Sequence, residues 1–339
     1  MRITRDSLLK LARDTAAQRA RRSRDILCIY LTGSLLSEEP LLGGTTDIDL
    51  IMVHNSEPPL RREVVGLTDE ISLDIGHVPA EEFDQPRRLR TDPWLGSYLC
   101  ENPMVLHDTR HWFEFIQASA CAQFYLPEYV AERARPLAAA ARQGWLALHR
   151  GELPPGPRPF IEYLDVIQQA GNALALLSGP PLPLRRFFLE LPARAEAVEQ
   201  PDLAAGMAGL IWGQASPAGF DWEKYIAPWL AGLKDAARAD SAPARLQPAR
   251  HPYYVRAARE LAEPSPDAAL WILLRTWTDA VCQVGDDAPS RAGWEELLQT
   301  LGLTPGTPAF GERLAQTDAV LDRLEETLDE WEQSNGIGL

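Results

Sequence analysis

An apolar segment of the chain carries two carboxylates in a pattern that few folds can accommodate. Residues 47–54 read DIDLIMVH, and this run of aliphatic residues predicts a strand. Because side chains alternate between the faces of a strand, Asp47 and Asp49 point to one face and Ile48 to the other. Aspartate is depleted in strands, and an unpaired buried carboxylate is costly. A divalent cation between the two carboxylates would remove their repulsion, so the pattern predicts a metal site.

The turn before this strand adds a possible phosphate site. Residues 25–33, DILCIYLTG, predict a buried strand that leads into Gly33 and Ser34. Gly33 permits close approach of the backbone to a ligand, and we expect Ser34 to open a helix whose N–H groups bind phosphate oxygens. Alone, this pair would indicate an ordinary strand-to-helix turn. Together with the two aspartates it predicts a site in which Mg²⁺ bridges carboxylates and substrate phosphates.

A third carboxylate is expected from the strand predicted at 71–78, ISLDIGHV. In a two-metal displacement, one ion activates the attacking oxygen and the other stabilises the leaving oxygen. Asp74 would bind the first ion or accept the proton of an attacking hydroxyl. Taken alone, Asp74 is equally well a solvent-exposed residue at a strand end, but beside the other two aspartates we expect the catalytic role. His77, three residues on, faces away from Asp74 in a strand, which favours packing.

The rest of the pattern predicts an α+β chain with a mixed first part and a helical second part. Helices are predicted at 5–22 and at 58–70, where proline stands at the start, and a fourth short strand at 104–108. Helical spacing dominates from about residue 111, with a proline-rich break at 152–159. We therefore predict a small mixed sheet with flanking helices in a domain over 1–115 and an all-α helical bundle over 116–339, divided into two bundles near 150–160. The tryptophans of this second part are expected in its core: Trp145, Trp212, Trp229, Trp271 and Trp277.

Composition limits the partners. The formal net charge of −15 disfavours a broad nucleic-acid-binding surface, which needs clustered basic residues. It suits a cationic or small polar substrate, although solubility alone also explains it. No apolar run is long enough to span a bilayer, and the start of the chain lacks an apolar signal core. Four cysteines without CxxC spacing complete the prediction of a cytoplasmic protein in a reducing setting, with no membrane partner.

The pattern resembles the signature of the DNA polymerase beta-type nucleotidyltransferase superfamily. The matching residues are Gly33-Ser34 followed by Thr46-Asp47-Ile48-Asp49-Leu50-Ile51. Leu73-Asp74-Ile75 is similar to the third acidic position of the streptomycin/spectinomycin adenylyltransferases, and minimal nucleotidyltransferases are also similar. The resemblance covers about the first 110 residues. The chain departs from the family in a longer spacer before Asp47, in Thr46 where serine is frequent, and in Asp74 where the aminoglycoside group typically has glutamate.

This resemblance implies an activity. A nucleotidyltransferase would transfer a nucleoside monophosphate, AMP from MgATP, to a hydroxyl of a small-molecule acceptor and release pyrophosphate. An aminoglycoside-like acceptor would suit the acidic charge. The resemblance implies two Mg²⁺ ions on Asp47, Asp49 and Asp74, with Gly33, Ser34 and Thr46 binding the nucleotide. It also implies that the helical domain completes the substrate cleft.

Three alternatives remain open from the sequence. One is transfer of AMP to a protein partner, as antitoxin-type enzymes perform it, and another is nucleotide binding by a non-catalytic regulator. Arg142 and His149, seven residues apart in a predicted helix, also resemble the Arg-x4–6-His motif of HEPN ribonucleases. In an arginine-rich helix this spacing arises frequently by chance, which favours chance over a ribonuclease site.

Overall fold

A computed structural model describes residues 3–37, 39–109, 111–239, 242–285 and 289–338. The chain forms two compact units, Met1–Tyr129 and Val130–Leu339. The described residues contain one five-stranded mixed sheet together with many helices, so the chain is α+β as predicted.

The first unit is built on the five-stranded sheet, in the order β3-β4-β2-β1-β5. Strands β2 and β4 are parallel, whereas the other neighbours are antiparallel. Four of the strands and the first helix were predicted from apolar periodicity, and the structure confirms them. The elements of this unit are α1 (Arg5–Arg22), β1 (Ile26–Thr32), β2 (Thr46–His54), β3 (Arg62–Gly66), β4 (Ile71–Pro79), α2 (Pro86–Thr91), α3 (Leu95–Cys100), β5 (Met104–Asp108) and α4 (Trp112–Cys121).

Each face of the sheet is covered by a different set of helices. On one face, Leu8, Ala12 and Ala16 of α1 pack against alternate strand residues such as Ile48. On the other face, residues of α2, α3 and α4 pack against Tyr30 and the other intervening strand positions. Because side chains alternate, the odd-numbered residues of β2 belong to this second face. Helix α4 is therefore part of the first unit, which extends beyond the boundary at residue 115 predicted from composition.

The helix predicted at 58–70 is wrong, because these residues form the edge strand β3 and a hairpin. Val64 and Val65 pair antiparallel with β4, and β-branched residues favour this extended conformation. A turn closes the hairpin, where the backbone N–H of Leu67 donates to the carbonyl of Ile71 at 2.9 Å. The pairing partner lies farther along the chain, so local periodicity did not reveal it.

The second unit is helical. Its central helix buries nearly all of its middle residues, and the five predicted core tryptophans are all buried, with Trp229, Trp271 and Trp277 fully so. No helix among the described residues is both long and apolar enough to cross a membrane. The helices are α5 (Pro127–His149, which begins in the first unit), α6 (Arg158–Ala175), α7 (Phe187–Glu196), α8 (Pro201–Trp212), α9 (Trp222–Ala236), α10 (Arg250–Leu261), α11 (Pro266–Val284), α12 (Arg291–Leu301) and α13 (Pro308–Ser334).

Two of the cysteines are paired, in contrast to the reducing setting predicted from the sequence. Cys100 at the end of α3 and Cys121 at the end of α4 form a disulfide, with their Cα atoms 5.4 Å apart. Cys28 and Cys282 are free thiols. The expectation of four reduced cysteines is therefore wrong for one pair, because the packing of α3 on α4 joins residues that are 21 positions apart.

Candidate metal and phosphate site

The structure brings the three predicted aspartates together on the second face of the sheet. Ligand oxygens of Asp47, Asp49 and Asp74, here called the acidic cluster, all lie within 4.8 Å of one another. The parallel register of β2 and β4 places Asp49 directly beside Asp74, and Ser72 beside Asp47. Asp47 and Asp74 are buried, whereas Asp49 is partly exposed. Such a concentration of carboxylates on neighbouring strands needs compensating positive charge.

Gly33 lies against the acidic cluster, at a position where a side chain would not fit. Thr32, the last residue of β1, is the register partner of Asp49, so the turn that follows β1 lies beside the Asp49 side chain. The backbone of Gly33 has φ +77° and ψ −161°, a conformation that residues with a Cβ rarely adopt. A Cβ at this position would lie 2.1 Å from Oδ2 of Asp49. Both the conformation and the close approach therefore require glycine.

Ser34 does not open a helix of useful length. Ser34–Leu36 form a single 3₁₀ turn, so the helix predicted to begin at Ser34 is wrong, while the predicted phosphate contact of Ser34 stays a prediction. The hydroxyl of Ser34 is nevertheless buried without a hydrogen-bond partner, and so is the hydroxyl of Ser72. A buried hydroxyl that lacks a partner costs about 1–3 kcal/mol. Two such groups, one beside Gly33 and one beside Asp47, are suited to a ligand that supplies oxygen atoms.

Thr46 does not join the cluster. Its side chain is fully buried, and its hydroxyl lies 3.2 Å from the carbonyl of Asp47, to which it donates. As the residue before Asp47 in a strand, Thr46 points to the opposite face, the one covered by α1. The Thr46 side chain therefore has a packing position, and the nucleotide contact that the resemblance implies for Thr46 stays a prediction.

Arg62 is a member of the site that sequence reasoning missed. Its Nε and Nη2 atoms donate to Oδ1 and Oδ2 of Asp74 at 2.8 and 2.6 Å, a bidentate pair. The Asp74 side chain is 5% exposed and that of Arg62 is 58% exposed. Arg62 lies on β3, in the segment predicted as a helix, and a helix there would not place it beside Asp74.

Tyr98 of α3 packs on the face of the sheet that carries the acidic cluster. Burial raises the pKa of Tyr98 to about 12, and the negative charge of Asp49 contributes in the same direction. The Tyr98 ring lies 6.3 Å from that of Trp94 between centroids, and the two rings are tilted by 50°. The neutral phenol of Tyr98 therefore lies within the electrostatic influence of the acidic cluster.

The residues present fit a magnesium ion. Mg²⁺ is a hard cation that prefers oxygen ligands and is usually held by one or two carboxylates together with substrate phosphates. The acidic cluster supplies three carboxylates, and Ser72, the register partner of Asp47, has a buried hydroxyl without a hydrogen-bond partner. Among the residues that the structure describes, no other group of three or more histidine, cysteine or acidic side chains is arranged to hold a metal.

His54 and His77, which lie on neighbouring strands, have structural partners. At the opposite end of β2 from the cluster, His54 Nδ1 lies 3.0 Å from Asp25, and His54 Nε2 lies 2.9 Å from Nδ1 of His77. His77 Nε2 in turn lies 3.4 Å from Glu63. Burial lowers the pKa of His77, and the neighbouring His54 lowers it further. His77 therefore belongs to a polar network with His54 and Glu63, on the face away from Asp74 that its position in the strand predicted.

Arg142 and His149 also take structural roles. The Arg142 guanidinium forms ion pairs with three carboxylates of α13, and His149 stacks on Trp145 with ring centroids 5.1 Å apart. The pairs hold the pKa of Arg142 above its ordinary range. These contacts account for the spacing that resembled a ribonuclease motif.

Comparison with known proteins adds no family. No family model matches the chain, and no curated protein matches it closely enough to serve as a relative.

Proposed function

We propose that the protein is a metal-dependent nucleotidyltransferase that transfers AMP from MgATP to a hydroxyl of a small-molecule acceptor and releases pyrophosphate. The observation that carries this proposal is the acidic cluster beside Gly33. Three carboxylates lie on two neighbouring strands and face the turn at Gly33, where both conformation and space require glycine. This is the arrangement that the sequence resemblance implies.

Each residue of the site has a defined part in this reaction. Asp47 and Asp49 would hold the divalent ions, which neutralise phosphate charge and lower the pKa of an acceptor hydroxyl when bound. Asp74, on the adjacent strand, would bind an ion or accept the acceptor's proton. Gly33 keeps the space beside Asp49 open, and the hydroxyls of Ser34 and Ser72 would pair with substrate oxygens. Positioning and charge neutralisation would supply most of the rate enhancement.

The direct test is calorimetric titration of ATP with and without Mg²⁺. Wild type is compared with the double variant Asp47→Asn, Asp49→Asn and with the control Asp69→Asn, Asp84→Asn, which removes two exposed carboxylates of the same unit. We expect Mg²⁺-dependent binding in wild type and control and its loss in the cluster variant. Pyrophosphate release is then measured across hydroxyl acceptors, beginning with aminoglycosides. Equal binding by all three proteins, or none with Mg²⁺ present, contradicts the proposal.

One observation favours a second candidate, the non-catalytic nucleotide-binding regulator. Arg62 already neutralises Asp74, and a domain that only binds a ligand could retain such a pair. The same titration distinguishes the two functions. A regulator would bind ATP without Mg²⁺ and release no pyrophosphate with any acceptor.

A further inference from the structure

The bidentate pair between Arg62 and Asp74 has a consequence for metal binding. Two guanidinium N–H groups engage both oxygens of a carboxylate that a metal ion would also use. Since Asp74 is almost fully buried, it would be costly to leave it without a cation. Arg62 therefore relieves the repulsion within the acidic cluster when no metal is bound.

A divalent ion and the guanidinium compete for the same charge. The ligand oxygens of the cluster lie within 4.8 Å of one another, so an ion bound among them would be close to the positive charge of Arg62. Like charges at such distances repel, most strongly where water is largely excluded. Binding of the ion through Asp74 must therefore weaken or break the existing pair.

The position of Arg62 allows it to leave. It lies on β3, which is the edge strand of the sheet, and 58% of its side chain is exposed. Long arginine side chains at such positions can reorient while the backbone hydrogen bonds of the strand stay intact. The partner that stays in place is Asp74, whose strand β4 is paired on both sides.

We infer that Arg62 is a built-in counter-ion of the acidic cluster and that a divalent metal displaces it from Asp74 on binding. The inference rests on the proposed metal site and assigns Arg62 a positioning role within it. A salt bridge with one exposed partner contributes up to about 1 kcal/mol, so removal of the competing charge should tighten metal binding about fivefold.

The test uses the full-length protein and Mn²⁺ alone, without nucleotide, with free Mn²⁺ measured by electron paramagnetic resonance. Arg62→Gln removes the competing charge and should bind Mn²⁺ about fivefold more tightly than wild type. Arg62→Lys keeps the charge and should stay close to wild type. Arg61→Gln removes an equal charge one residue away, from an arginine that pairs with Glu57 and Glu82, and should leave Mn²⁺ binding unchanged.

A second measurement on the wild type protects the test against poor folding of Arg62→Gln. Phenylglyoxal modifies accessible arginines, and tandem mass spectrometry reports Arg61 and Arg62 separately. We expect Mn²⁺ to accelerate modification of Arg62 and to leave that of Arg61 unchanged.

The outcomes separate this inference from the proposed function. Wild type that binds Mn²⁺, together with Arg62→Gln that binds no more tightly and labelling of Arg62 that does not respond, would overturn the counter-ion role and leave the metal site standing. No Mn²⁺ binding by either protein would overturn both. Binding by Arg62→Gln alone would support the inference most strongly.

Discussion

Replacement of Gly33 by alanine tests whether the shape of the turn controls the acidic cluster. The backbone of Gly33 lies in a region that is almost exclusive to glycine, and another residue there costs about 1–3 kcal/mol. The added Cβ would lie 2.1 Å from Oδ2 and 2.9 Å from Cγ of Asp49, distances at which atoms cannot coexist. Since β2 is paired on both sides, the Asp49 side chain must rotate while its backbone stays in place.

Gly33→Ala should therefore lose both stability and metal affinity. We expect the free energy of unfolding, measured with urea by circular dichroism, to fall by about 1–3 kcal/mol. We expect Mn²⁺ affinity to fall by about tenfold or more, because one of three ligands is displaced. A loss of stability alone would not distinguish a glycine that controls the metal site from an ordinary turn glycine.

Gly44→Ala provides the matched control. Gly44 also has a positive φ, +68°, but nothing lies within 4 Å of the Cβ that alanine would add. This variant should lose about 1 kcal/mol from backbone strain and should bind Mn²⁺ like the wild type. If Gly33→Ala also binds Mn²⁺ like the wild type, Asp49 is not a ligand held in place by this turn, and the reasoning about the site is refuted.

Three further predictions address other groups. In an ultraviolet titration with Tyr98→Phe as the reference, Tyr98 should ionise near pH 12, because burial and the charge of Asp49 disfavour the phenolate. An ordinary pKa near 10 would contradict the environment described. Because burial lowers the pKa of His77, the unfolded chain binds a proton at this residue more readily than the folded chain, so the free energy of unfolding should decrease as the pH falls below about 6.5 and level off below the lowered pKa. His77→Gln should flatten this pH dependence, and an unchanged profile would count against a lowered pKa for His77. Arg142→Gln removes three ion pairs with α13 and should lower the free energy of unfolding by about 1 kcal/mol, and by less at high salt. An unchanged melting temperature would show that these ion pairs do not contribute to stability.

Much of the first unit could be predicted because its signals are local. Continuous apolar runs identified β1 and β2, and a helical apolar stripe identified α1. The same-face rule for alternate strand residues placed Asp47 beside Asp49 without any knowledge of the sheet. The position of Asp74 followed from the expectation that the next strand along the chain would be a neighbour in the sheet.

The parts of the fold that were not predicted from the sequence depend on contacts between residues far apart in the chain. Residues 58–70 contain a proline pair and charged residues that suit a helix start, and only pairing with β4 makes β3 a strand. Because β3 was not predicted, Arg62 could not be placed beside Asp74. The disulfide between Cys100 and Cys121 likewise requires α3 and α4 to be adjacent, which no periodicity reports.

Charge balance connects the missed arginine to the predicted aspartates. Arg62 offsets one of the carboxylate charges of the acidic cluster through its bidentate pair with Asp74. A divalent ion that displaces Arg62 brings two positive charges in place of one, so the exchange leaves the acidic cluster less negative than before. Such a site would accept the negative charge of a triphosphate more readily. A second ion bound with that triphosphate would complete the two-metal arrangement that the proposed reaction needs.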